Sequence, residues 1–169
     1  MTALWIVLAV LAAFALGLLL GPARPRFRKP KPGTRRILVP FTDGRLDSRV
    51  LDAAIRIAHA EGSTLVPAYL LRVPYQYAED SPVTDEVAVA LPLLEAVENA
   101  ALSAGVPVDA RIEKGRTPTH ALRRLWDVEH FDRVVAPADP TIRHGFTMHD
   151  LTWILEHAPA ETLILKPMS

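Results

Sequence analysis

The sequence predicts an α/β fold, a parallel β-sheet covered by helices over residues 36–169, behind one N-terminal transmembrane helix. Three observations carry that expectation. From Arg36 onward, short apolar runs alternate with segments whose apolar residues recur at helical spacing, the pattern of strands joined by crossover helices. The first of these runs, RILVPF, is apolar without a break after its arginine, which suits a strand buried on both faces. Residues 3–20, ALWIVLAVLAAFALGLLL, hold no charge and no proline, and as a helix they extend about 27 Å, close to the hydrocarbon thickness of a bilayer.

The front of the chain reads as an uncleaved anchor over residues 1–21. A signal peptide would carry a basic residue ahead of a shorter apolar run and a small-x-small cleavage site, whereas Met1 and Thr2 are uncharged and the nearby basic residues all follow the run. These are Arg24, Arg26, Arg28, Lys29, Lys31, Arg35 and Arg36, and their position places the N-terminus outside and the following domain in the cytoplasm, at the inner membrane. Residues 22–35 form a linker in which Pro22, Pro25, Pro30 and Pro32 favour an extended, semi-stiff stalk. Of the nineteen Lys and Arg, seven precede Ile37 and no acid does, so the remainder carries twelve basic against nineteen acidic residues, a net of −7. An acidic body is unsuited to nucleic acid, whose affinity rests on phosphate contacts. The basic linker is suited to anionic lipid headgroups, or serves as a topology signal and solvated spacer. The absence of cysteine excludes disulfides and thiolate chemistry, in keeping with a cytoplasmic domain.

The elements follow in order. After RILVPF and the turn TDGRLDS comes a helix over 48–61, with Val50, Leu51, Ala54, Ile57 and Ala58 on its apolar face and Gly62 as its stop. STLVPAYLLRV is the second strand, and Pro67 within it marks an edge or a bulge, because proline cannot donate to the ladder. A second helix starts at Thr84, with Asp85 and Glu86 where the helix dipole favours negative charge, and runs to about Ala104 before Gly105. VDARIE is the third strand; Gly115 is a turn glycine, Thr117 an N-cap and Pro118 the first residue of a helix whose apolar face is Ala121, Leu122, Leu125 and Trp126. DRVVAPA is the fourth strand, 147–157 the last helix and TLILKP the fifth strand.

The chain from 36 to 169 resembles the universal stress protein family. The resemblance lies in RILVP with Asp43-Gly44 after it, LDAAIRIAHAEGS, AGVPVDARIEKGRTPTHALRRL, FDRVVAP and ILEHAPAETLILKP, taken in order. It implies a five-stranded parallel sheet in the order 3-2-1-4-5 with helices on both faces, a Rossmann-like arrangement in which a ligand sits where the strand order reverses. That point lies between PFTDG and APADP. Pro40, Thr42 and Asp43 resemble the family's adenosine-contacting residues, with Phe41 one residue extra. Ala136, Pro137, Asp139 and Gly145 occupy the phosphate side.

Family members that bind ATP carry glycine, two residues, glycine, nine residues, then glycine with Ser or Thr, so that bare N–H groups approach the phosphates. Here the first two glycine positions fall on Pro137 and Pro140, the third and its hydroxyl partner fall near Met148 and His149, and only Gly145 remains in the region. No cofactor is therefore expected; ATP or another adenine nucleotide is the alternative. The resemblance also implies a homodimer through the last strand, for which TLILKP is suited.

His144, His149, Asp150 and His157 are too loosely spaced for a helical metal site, and no metal is expected. Asp43, Asp139 and Asp150 near the switch point suggest Mg²⁺, against the plainer reading that Asp43 caps the first helix or closes a turn and Asp139 lies in a proline-flanked turn. No nucleophile with a base and no phosphate-loop lysine is present, so no catalytic residue is assigned. The function expected is a membrane-anchored, non-catalytic sensing or protein-interaction module with an unidentified membrane or cytoplasmic partner. The alternative is an adenine-nucleotide-binding regulator of a membrane transporter or stress response. An exported domain is the third reading, opposed by the basic stalk.

Overall fold

The computed structural model describes residues 33–44, 46–79, 84–138 and 145–166. The apolar segment 3–20, most of the stalk, Asp139, Pro140 and His144 lie outside these residues; among the described residues no helix is long and apolar enough to cross a membrane.

Among the described residues strands and helices alternate: β1 Arg36–Phe41, α1 Ser48–Glu61, β2 Thr64–Arg72, α2 Thr84–Ser103, β3 Arg111–Gly115, α3 Pro118–Val128, β4 Arg133–Pro137, α4 Met148–His157 and β5 Glu161–Leu165. The strands form one parallel sheet in the order β3-β2-β1-β4-β5. The central strand shows why its sequence is unbroken by polar residues. Leu38 packs with α3 and α4 through Leu122, Leu125, Leu151 and Ile154. Its neighbours Ile37 and Val39 point the other way, against Val50 and Ala54 of α1 and Val97 and Ala101 of α2.

Helix ends follow the local chemistry. The Asp47 carboxylate accepts from the N–H groups of Arg49 and Val50, at 2.8 and 3.3 Å, and caps α1. Gly62, at φ 63°, closes that helix in the left-handed region. Thr117 accepts from His120 N–H at 3.1 Å with Pro118 behind it. Thr147 and Asp150 form a capping box on α4. The second helix runs through Pro92, whose missing N–H leaves the carbonyl of Ala88 to solvent on an exposed face.

Three expectations are corrected. Pro67 is on neither an edge nor a bulge, since β2 lies inside the sheet and pairs Val39 with Pro67 in unbroken register. The absent donor instead interrupts the other ladder. Leu65 bridges Val108, and pairing with β3 resumes only at Ala68–Arg111, so the gap falls opposite Pro67 and β3 starts three residues later than Val108. Gly115 ends β3, buried, and is no turn residue; a Cβ there would stand 2.6 Å from the Ala121 backbone nitrogen, so the first turn of α3 lies directly on the strand. Asp43 does not cap α1, a role held by Asp47.

Candidate functional site: the crevice between the first and fourth strands

Because β1 is flanked by β2 and β4, the chain winds outward in both directions from the centre. The strand order reverses between β1 and β4, and beyond their carboxyl ends lies the switch-point position, called the crevice below, at which open α/β sheets bind ligands. Thr42, buried, and Asp43, exposed, follow β1; Pro137 ends β4; Gly145 returns beside them ahead of α4. Pro40 and Ala136 lie inside the sheet, both buried, and line the floor at most by their backbone. Asp139 is outside the described residues.

Among the described residues of this rim, three main-chain donors are engaged by the chain itself. Pro137 has none to offer. Ala138 N–H donates to the Leu165 carbonyl at 2.8 Å. Gly145 N–H donates to Asp43 Oδ2 at 2.8 Å, and the Thr147 N–H and hydroxyl both donate to Asp150 Oδ2, at 2.9 and 2.7 Å. Two carboxylates of the chain thus take the place that an anion would take beside the start of α4. Asp43 adopts φ 56°, a conformation that aspartate tolerates better than most residues. Gly145, at φ 115°, is in a region open to glycine.

Beneath this rim Phe41 stacks edge-on against Tyr69, ring centroids 5.4 Å apart at 77°. Burial raises the Tyr69 phenol above its ordinary value; a hydrogen bond with the Gly44 backbone opposes that, and the charges of Asp43 and Glu86 add to it. The residue that looked supernumerary in the sequence therefore packs with Tyr69 on the face of the sheet covered by Ala90 and Leu94 of α2.

Asp150 is buried within its capping box and is not turned to a shared cation. Among the described residues no group of three or more His, Asp or Glu is placed to hold a metal ion. His157 stacks on Trp153 at 4.9 Å, and Trp153 on Trp126 at 5.3 Å, between α3 and α4. Two polar hollows lie away from the crevice. One of about 220 Å³ is lined by Arg35, Glu61, Asp132, Arg133 and Glu161. The other, of about 360 Å³, is lined by Glu79, Ile112, Glu113, Lys114 and Arg124 beside β3.

Sequence reading did not reveal two charged arrangements, because their members are far apart along the chain. At the amino ends of the strands Arg36 reaches Asp109 at 2.9 Å and Glu129 at 2.6 Å, while Arg111 pairs with the same two acids. Burial pushes the Glu129 carboxyl up, but hydrogen bonds and charge from Arg111 and Arg36 outweigh it and hold the group below its ordinary value. At the opposite end Arg116 donates to the carbonyls of Val73, Pro74 and Tyr77 at 3.2, 2.6 and 2.9 Å, fixing the loop after β2.

A doubly wound parallel sheet with this strand order and a crevice at its switch point is the architecture of the universal stress proteins. A protein of that family from Burkholderia pseudomallei superposes with a TM-score of 0.58 at 21% identity, over 80% of this chain and 98% of that one. A universal stress protein in complex with cAMP gives 0.59 at 19%, over 78% and 96%. A family protein from Arabidopsis thaliana with AMP bound gives 0.58 at 16%, over 80% and 93%. At these identities the likeness is one of fold. No protein-family model and no curated protein matches the chain.

Proposed function

We propose that this chain is a membrane-anchored module of universal stress type that works by contacting another protein and not by catalysis. The supporting observation is that Gly145 N–H, the one glycine donor left on the phosphate side, is taken by Asp43 at 2.8 Å. A phosphate would have to displace an internal carboxylate and then find a proline where a second donor is needed. In this reading residues 1–21 span the inner membrane with the N-terminus outside, the basic linker 22–35 lies against anionic headgroups, and the domain from Arg36 faces the cytoplasm. Two copies pair through β5, whose Leu163 is exposed on the face of the sheet opposite α4, while Met148 and Leu155 are exposed seven residues apart on one side of α4.

The second reading is an adenine-nucleotide-binding regulator of a transporter or stress response. It draws on the fold shared with proteins solved with cAMP and AMP and on Thr42 and Asp43 standing at the crevice. Calorimetric titration of the full chain in zwitterionic micelles with ATP, AMP and cAMP separates the two. We expect no binding of any of them at micromolar concentrations. Micromolar affinity for one would overturn the first reading in favour of the second.

A further inference from the structure

The second helix carries a face that nothing in the described domain covers. Leu91, Glu95, Glu98 and Leu102 follow one another at spacings of four, three and four residues, so they form one stripe along α2. Leu91 is 47% and Leu102 53% exposed, Glu95 is exposed and Glu98 half-buried. Over its length α2 has four acids, Asp85, Glu86, Glu95 and Glu98, and no basic residue. None of the ion pairs among the described residues involves Glu86, Glu95 or Glu98. The last turn of the helix also has no base to meet the negative end of its dipole.

The complementary charge sits in the segment that enters the domain beside this helix. Thr64 N–H donates to the Arg35 carbonyl at 2.8 Å, and the next residue, Leu65, donates to the Pro107 carbonyl at 2.9 Å. The end of the stalk and the residues just after α2 therefore flank the start of β2 on its two sides, about 10 Å apart at the ordinary strand spacing. The Arg36 guanidinium closes the same gap by reaching Asp109. Residues 22–34 of the linker behind that point hold Arg24, Arg26, Arg28, Lys29 and Lys31, one aromatic residue, Phe27, and no acid.

We propose that the stripe Leu91–Glu95–Glu98–Leu102 is the docking surface of the chain's own basic segment, residues 24–32, with Arg and Lys on the two glutamates and Phe27 over the leucines. Reach is sufficient, because nine residues in a polyproline-like path span about 28 Å and the stripe rises about 17 Å. Tethering raises the local concentration to the millimolar range, so a few weak charge pairs and one ring suffice to populate the contact. The consequence is competition: the residues proposed to meet anionic headgroups are the same ones, so α2 and the membrane surface bid for one segment, and the domain's distance from the bilayer follows from which holds it.

The chain has no cysteine, so two spin labels on Arg26→Cys and Asn99→Cys report the contact in the full chain in zwitterionic micelles, where no anionic lipid competes. A single narrow distance distribution is expected. It should be lost in Glu95→Lys with Glu98→Lys, and regained when Arg28, Lys29 and Lys31 are also changed to Glu. A broad distribution in the parent, or a narrow one that charge reversal leaves in place, overturns the proposal. So does a narrow one lost when labelled chain is diluted with unlabelled chain, since the stripe would then hold a second copy's segment. These readouts are independent of nucleotide binding and of pairing through β5.

Discussion

Asp43 holds a backbone conformation and a long-range bond at once, and the two can be separated. At φ 56° any residue other than glycine is disfavoured, by about 1 kcal/mol. Its carboxylate meanwhile ties the end of β1 to Gly145, 102 positions away in the chain. Replacing Asp43 by glycine removes the bond and the strain together; replacing it by alanine removes the bond and keeps the strain. Both variants should expose the Gly145 amide, with its hydrogen exchange at least about fivefold faster, as loss of a bond worth about 1 kcal/mol or more requires. Asp43→Ala should in addition be less stable than Asp43→Gly by about 1 kcal/mol in denaturant. Unchanged exchange at Gly145 in the glycine variant would mean that the Asp43 carboxylate does not protect that amide. The sequence placed Asp43 at the crevice but had no means of finding its partner, because a carboxylate on an N–H across the rim leaves no local pattern. Its nearest local alternative, the cap of α1, went to Asp47 four residues on.

At the scale of elements, the joint between β1, β3 and α3 is made by charge. Asp109 is nearly buried and shared by Arg36 and Arg111, and Glu129 at the end of α3 completes the set. Removing one member leaves the others poorly solvated and unmatched, which costs more than the pair contributes. Glu129→Gln should therefore destabilise the protein by about 1–3 kcal/mol at neutral pH. The sign of the pH dependence follows from the direction of the Glu129 shift. Its folded value lies below the ordinary 4.5, so its contribution is fully present above that pH and is lost as pH falls through the lower folded value. The difference in Tm between the parent and Glu129→Gln should thus be constant from pH 7 down to about 5 and shrink on further acidification; a difference that persists undiminished in acid would show that the carboxylate's charge is not what matters. Elements themselves were legible because burial imposes a period: RILVPF had to be a two-sided strand, and Gly62 and Thr117 mark ends by chemistry local to a few residues. What stayed hidden depended on contacts between elements. The bare approach of α3 to Gly115 and the late start of β3 opposite Pro67 both arise from a neighbour that the local sequence does not contain.

For the whole molecule, parallel strands give the domain two unlike ends. The chain enters at Arg36, so the amino ends of all five strands share the end from which the stalk departs, and the crevice lies at the other, about 20 Å away along the six residues of β1. Under the anchored arrangement proposed above, the crevice would face away from the bilayer and the sheet edges would face sideways. Of the two edges, β3 bears Arg111, Glu113 and Lys114 and has Arg124 against Glu113, the charged dressing that discourages strand addition. The β5 edge is different: Leu163 is 37% exposed, and Met148 and Leu155 of α4 are exposed at 65% and 60%. Two copies on one membrane surface can meet along that edge about a two-fold axis normal to the bilayer, with each copy presenting the same residues to the other. The full chain in zwitterionic micelles should accordingly be a dimer by light scattering at micromolar concentration. Leu163→Lys combined with Leu155→Glu should dissociate it at least tenfold more readily, because each dimer would bury charge from both copies. Both positions are exposed in the single chain, so the fold should tolerate the changes, and the far-ultraviolet dichroism should be unaltered. A monomeric parent, or a dimer indifferent to these substitutions, would remove β5 as the pairing edge.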